Sequence, residues 1–260
     1  MSRLDADALV AGLGPWVPAL EFYAETDSTN RVAFELADKG AAHGSLVVTE
    51  HQIAGRGRLG RRWFSPPGTC LLYSMILRPD LDPRHFPLVN LAAGVAICLA
   101  AEGAGVRLGL KWPNDVIAGS RKVAGILSEH RPGVIVLGAG INVNVERFPD
   151  EIGAVATSLS IEAGRFFDRV ALLRSFLERF HEVYSTIPGG IPDLYRNWCE
   201  TLGRRVRVEL PSGTFEGVAA DIDPSGALIL STGERVPAGD VIHLREAGVN
   251  LGVSNRMSEK

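Results

Sequence analysis

Glu50 to Gly68 reads EHQIAGRGRLGRRWFSPPG, and the fold turns on how this stretch is interpreted. Gly55, Gly57 and Gly60 stand at G-x-G-x-x-G spacing, with Arg56, Arg58, Arg61 and Arg62 threaded among them. In a dinucleotide-binding fold the third glycine opens a helix whose N-terminus faces a pyrophosphate. Here Gly60 is followed by RRWFSPPG, and two prolines and a glycine do not propagate a helix. Nor does G-x-x-x-x-G-K-[ST] occur anywhere in the chain. Two readings are left. One is a solvated basic turn. The other is an anion-binding loop, in which guanidinium forks grip carboxylate or phosphate and glycines let backbone N–H groups approach the same anion. The second accounts for both residue types. Its like charges repel, so the loop is expected to be disordered until an anion binds.

Working outward, SLVVTE (45–50) leads into the loop as a strand, and CLLYSMIL (70–77) leaves it as a strand buried on both faces. Upstream, 5–12 is a short helix candidate and 20–24 a strand. DSTN (27–30) opens a helix stopped by Gly40, with Ser, Thr or Asn as its N-cap. Downstream, 88–101 is a buried helix. Strands follow at 107–111, 115–117 and 122–129, with AGSR as a hairpin turn, and at 134–137. Asp168 caps a helix with one apolar stripe from Val170 to Tyr184, and a last helix covers 193–202. From Gly203 the texture changes to four short strands (RVRVEL, TFEGVAADID, GALILST, ERVPAGDVIHL), the size of a small barrel.

With 46% hydrophobic residues, 22% charged and a net charge of −3, the chain has apolar surface for a core and no overall basic character for nucleic acid. Three distant cysteines fit neither a metal spacing nor a disulfide framework and suit a reducing cytoplasm. The N-terminus has no signal-peptide pattern, and 88–101 is shorter than the roughly 20 residues of a membrane span. His181-Glu182 begins like a zinc motif, but Ser185 stands where the second histidine would be.

Five motifs in order, DSTN (27–30), the run from Glu50 to Trp63, KWPND (111–115), KVAGIL (122–127) and GAGINVN (138–144), resemble those of the biotin–protein ligases. Ile53 and Leu59 depart from the usual pattern without touching a charge. The resemblance implies an α+β fold: a class II synthetase-like mixed sheet with helices over 1–202, an SH3-like β barrel over 203–247, and a disordered tail at 248–260. It implies ATP and biotin as substrates, with Mg2+ accompanying ATP. The partner is a biotin carboxyl carrier domain, with no DNA or membrane, and a homodimer stays open.

By the same resemblance, Lys122 bridges the biotin carboxylate and the α-phosphate; read alone it is a solvated lysine at a strand start. Arg56 and Arg58 join it as catalytic residues. Ser28, Thr29, Asn30, Gln52, Gly55, Gly57, Gly125 and Gly138, together with Arg56, Arg58 and Lys122, are the expected biotin contacts. At Gly125 and Gly138 a side chain is expected to collide with biotin. Arg58, Arg61, Trp63, Lys111, Asn114, Asp115 and Asn142 are assigned to the nucleotide. Trp63 either flanks the adenine or fills the core, and the division among Lys111, Asn114 and Asp115 is open. No metal ligand is assigned. One rival is a lipoate or octanoate ligase or transferase of the same core fold. Another is a biotin-responsive repressor, for which the 26 residues before Asp27 are fewer than a DNA-binding domain requires.

Overall fold

A computed structural model describes residues 4–11, 13–210 and 213–244. The expected tail at 248–260 lies outside them. After a short helix α1 (Ala6–Ala11), the chain runs β1 (Leu20–Tyr23), α2 (Thr29–Asp38), β2 (Leu46–Thr49), the arginine–glycine loop, and β3 (Cys70–Leu77). Then come α3 (Pro87–Gly103), β4 (Gly109–Lys111), β5 (Asp115–Ala118), β6 (Arg121–Arg131) and β7 (Val134–Asn142). These seven strands form one sheet in the order β1-β2-β3-β7-β6-β5-β4; β1 and β2 are parallel and every other neighbour is antiparallel.

Strand alternation divides the faces. Leu71, Tyr73, Met75 and Leu77 of β3 join the main core beneath α3 and α6 (Arg169–Tyr184), where the Tyr73 and Phe176 rings lie 5.0 Å apart. Ile76, with Val47, Val134 and Val136, packs instead on Val32, Ala33, Phe34 and Ala37 of α2. Strand β3 is buried along its whole length because helices cover both faces. Helix α3 is apolar on all sides. With the turn before it, Pro83–Gly103 makes 21 residues, longer than the sequence run suggested and long and apolar enough to cross a membrane. Its apolar side chains are packed inside the protein, as in a core helix.

Three sequence expectations are corrected. Strand β7 continues through GAGIN to Asn142, because its glycines pair in register with β3 and β6. The helix expected over 193–202 is only α7 (Ile191–Arg196). Beyond it the backbone turns, and Cys199 forms a bridge to Leu110 at the edge of β4. The C-terminal part has five strands, not four: β8 (Arg205–Leu210), β9 (Gly213–Ile222), β10 (Leu228–Leu230), β11 (Arg235–Val236) and β12 (Asp240–His243). Pro237 lacks the N–H a ladder needs and divides the last expected strand in two. Two short helices, α4 (Asp150–Gly153) and α5 (Leu159–Ala163), complete the fold.

The five-stranded sheet, ordered β11-β10-β9-β8-β12, shares one continuous core with the larger sheet. Trp112 fastens the two together. Its ring is 1% exposed and its Nε1 donates to the Gly226 carbonyl at 2.9 Å, across 114 residues of sequence. Gly226 has a φ of +89° and lies so close to Leu88 and Leu91 that a side chain there would press on both. Arg196 adds a second tie, donating to Asp221 and to the Ile222 carbonyl.

His243, at the end of β12, lies 3.1 Å from the Thr201 hydroxyl. Burial, then the charges of Lys111 and Arg204, push its imidazole down to about 4. In the unfolded chain the ordinary value is about 6.5, so the unfolded state takes up this proton first as pH falls. The stabilisation is complete above roughly pH 6.5 and is lost as pH drops through about 4. In thermal melts across that window, His243→Gln should flatten the acid-side decline relative to wild type. Parallel curves for the two proteins would refute this.

Candidate active site

The cleft lies on the face of the sheet that carries Ser74. Three glycines make its floor. Gly138 pairs with Ser74 on one side and Leu127 on the other, and Gly140 pairs with Leu72 and Gly125. Removing side chains from one face of β6 and β7 opens a depression of about 670 Å³, a size suited to a small ligand. The start of α2 and the arginine–glycine loop wall it in.

At one end the polar groups converge. Gln52 Oε1 accepts the Thr29 N–H at 2.8 Å. Of the Ser, Thr and Asn offered as the N-cap of α2, Ser28 takes the position, and its side chain makes no capping bond. Gln52 takes that role, joining the base of the loop to the helix start. Asn30 Nδ2 donates to Glu129 at 2.7 Å and to the Leu127 carbonyl at 3.2 Å, and its Oδ1 lies 2.6 Å from the Ser74 hydroxyl. A Cβ on Gly138 would stand 2.1 Å from Asn30 Oδ1, and one on Gly125 would meet Lys122 and Trp63 at 3.0 Å. A side chain at Gly138 would therefore strike the protein's own Asn30, while at Gly125 the neighbours would have to give by only a few tenths of an ångström.

At the other end Lys122 extends from β6. Its backbone is clamped on both sides: its N–H donates to the Val155 carbonyl at 2.8 Å and its carbonyl accepts from Thr157 at 2.9 Å. Nζ lies 2.6 Å from Asp115 Oδ1 and 5.5 Å above the Trp63 ring. Beyond Lys122 a second cleft of about 390 Å³ opens, and Lys122, Gly57, Arg58, Trp63 and Asn114 border both.

In the structure the loop folds back on itself and onto the C-terminal sheet. Arg56 bridges to Arg62, and residues 58–60 make one 3₁₀ turn. Arg58 Nη1 donates to Asn114 Oδ1 at 2.8 Å and to the Gly239 carbonyl at 3.0 Å, and Arg61 pairs with Asp240. Acceptors from the C-terminal sheet thus offset the repulsion among the arginines. Burial pulls the Arg58 guanidinium down, while Asp240 and Asp115 pull it back. The hydrogen bond that Arg61 donates to Asp240 pushes its guanidinium up. Both stay cationic.

The residues assigned to biotin by resemblance line the first cleft, apart from Gly55, whose carbonyl accepts from Trp63 N–H. Those assigned to the nucleotide all line the second. Asn142 does so from a buried position, its Nδ2 donating to the Thr157 carbonyl and its Oδ1 accepting from the Cys70 thiol. Trp63 borders both clefts, and its edge fits against Gly140.

Residues 22–146 match the family described as biotin/lipoate A/B protein ligases, and residues 201–244 match the biotin protein ligase C-terminal domain. The biotin–[acetyl-CoA-carboxylase] ligase of Mycobacterium tuberculosis is 38% identical over 257 residues, 92% of this chain and 94% of that protein. The chain belongs to the biotin/lipoate A/B protein ligase family. The bifunctional ligase/repressor BirA of Bacillus subtilis is 38% identical over 221 residues, 80% of this chain and 68% of BirA. Among solved structures, the biotin protein ligase from Aquifex aeolicus in complex with biotin and ATP superposes with a TM-score of 0.78. It is 29% identical, over 88% of this chain and 99% of that one.

Several residues around the candidate site escaped the sequence reading. Glu129 is on the same face of β6 as Gly125 and Leu127, and alternation from those positions could have found it. Ser74 interrupts an apolar run at a position facing Gly138, a signal visible only once β7 is known to pair there. Gly239 and Asp240 gave no local signal; only the tertiary fold brings them to the loop.

Proposed function

We propose that this ATP-dependent biotin–protein ligase works at the junction of its two clefts. A carboxylate oxygen of biotin attacks the α-phosphorus of ATP. The bond to the β-phosphate breaks, leaving biotinyl-5′-AMP and pyrophosphate. The ε-amine of a carrier lysine then attacks the biotinyl carbonyl and loses a proton, and AMP departs with the bridging oxygen. The observation that supports this reading is Lys122, a cation whose backbone is clamped on both sides and which borders both clefts. Two like charges at 4 Å repel by about 4 kcal/mol at an effective dielectric near 20, so a cation between the two anions has a clear task.

In this proposal Ser28, Thr29, Asn30 and Gln52 hold the ureido end of biotin over the glycine floor. Lys122, Arg56 and Arg58 face its carboxylate and the α-phosphate. Arg61, Trp63, Lys111, Asn114, Asp115 and Asn142 serve the nucleotide. Asp115 and Asp240 are already paired with Lys122 and Arg61, so Mg2+ arrives as part of the MgATP substrate, held by its phosphates. The carrier is a biotin carboxyl carrier domain, and the compartment is the cytoplasm. The division into a catalytic part to residue 202 and an SH3-like part from 203 belongs to the same proposal.

Biotin-driven pyrophosphate release, followed by mass spectrometry of a carrier domain, tests the reading directly. A chain that releases pyrophosphate with lipoate or octanoate and not with biotin would overturn it. Within the same assay Gly138→Ala should raise the biotin KM by about tenfold or more and leave the ATP KM within twofold. Asn30 is held by three partners and cannot yield to the new methyl without leaving them. An unchanged biotin KM would separate Gly138 from the biotin site.

A further inference from the structure

Ser74 is fully buried in the middle of β3, beneath the first cleft, and its hydroxyl touches two residues of the site at once. Its Oγ lies 2.7 Å from Thr29 Oγ1 and 2.6 Å from Asn30 Oδ1. A serine carries one hydroxyl proton, and an amide oxygen can only accept. The proton of Ser74 therefore goes to Asn30, and the Thr29 hydroxyl must donate to Ser74. Gln52 Oε1, 3.2 Å from Thr29 Oγ1, is left to the Thr29 N–H at 2.8 Å. Asn30 Nδ2 is committed to Glu129 and the Leu127 carbonyl, which agrees with its oxygen facing Ser74.

The chain of donation thus has one direction, from Thr29 to Ser74 to Asn30. Both Thr29 Oγ1 and Asn30 Oδ1 keep unused lone pairs at the floor of the cleft, and neither has a proton left to offer there. We infer that Ser74 is a positioning residue that sets these two atoms as hydrogen-bond acceptors, so that this end of the cleft selects a ligand presenting N–H groups. The inference rests on the biotin reading above, in which a ureido ring supplies those N–H groups. A site built around hydrogen bonds discriminates against analogues that cannot make them, because its polar groups are then left unpaired. A fatty or lipoyl acid offers only methylenes or sulfur at its far end. Ser74 is therefore a determinant of the choice between acids as well as of affinity.

The test is steady-state pyrophosphate release with biotin and ATP varied separately, and with octanoate as the competing acid. Ser74→Ala should raise the biotin KM about tenfold, the equivalent of about 1.4 kcal/mol. The ATP KM and kcat should stay within twofold, and inhibition by octanoate should strengthen relative to biotin binding. Ser74→Cys, which keeps a weak donor in nearly the same volume, should fall between the two. It also serves as the readout if the alanine variant folds poorly. A biotin KM unchanged in both variants, or biotin and ATP KM values rising together, would overturn the role of Ser74. If wild type itself releases no pyrophosphate with biotin, the reading beneath the inference fails, and the inference with it.

Discussion

Replacing Lys122 with Ala should slow biotin-dependent pyrophosphate release by about 100- to 1000-fold, the range seen when one preorganised electrostatic donor is removed from a reaction site. The fold should be nearly untouched. The Lys122 side chain is 32% exposed and its Asp115 partner 23%, so the pair is solvent-screened and contributes at most about 1 kcal/mol. The backbone bonds that hold β6 at this point come from the N–H and carbonyl of residue 122, and alanine keeps both. Transfer from synthetic biotinyl-AMP should suffer much less, since the two separate anions have already become one mixed anhydride. Lys122→Arg should recover only part of the rate, because a planar fork replaces a compact point charge beside Trp63. Adenylation by the alanine variant within a few-fold of wild type, at equal melting temperature, would remove Lys122 from the chemistry.

That prediction could be framed from the sequence because the motifs that carry charge are local. Arg56, Arg58 and Arg61 stand in one short run whose residue types already limit what they can do, whereas Lys122 alone reads as a solvated lysine and is singled out by the resemblance of KVAGIL (122–127) to the family's motif. The long apolar runs were equally legible: 70–77 as a buried strand and 88–101 as a buried helix need only burial on all sides. Illegible were features set by pairing across the chain. Strand β7 reads as a loop after Leu137, because glycine is a poor strand former; register with β3 and β6 overrides that preference. Trp112 reads as part of a ligand-binding motif, and in the fold it fastens the C-terminal sheet. The arginine loop reads as a set of mutually repelling charges because Asn114, Gly239 and Asp240 are 56 to 181 residues away.

The pair formed by Glu50 and Arg169 is the clearest case of a contact invisible in sequence, and it has the largest expected effect on stability. Glu50 ends the run from β2, Cys70 opens β3, and the arginine–glycine loop lies between them. From the first turn of α6, Arg169 reaches both ends of that loop. Its Nη1 donates to Glu50 Oε2 at 2.8 Å and to the Cys70 carbonyl at 3.0 Å, and its Nη2 donates to Glu50 Oε1 at 3.1 Å. The Leu4 N–H also donates to Glu50. The two side chains are only 3% and 6% exposed, so neither can fall back on water. Removing one partner leaves the other charge buried, at a cost of about 3–5 kcal/mol. Against a total stability of about 5–15 kcal/mol, Glu50→Ala should lower the melting temperature by about 6–20 °C. Replacing both partners together, Glu50→Leu with Arg169→Met, removes both desolvation penalties, and such swaps are often neutral. The double variant should therefore melt well above Glu50→Ala. If it then keeps its fold but shows raised KM values for both substrates, the clamp also sets the geometry of the loop between its two ends. A double variant no more stable than Glu50→Ala would mean that the contacts to Cys70 and Leu4, and not the charge pair, hold these ends together.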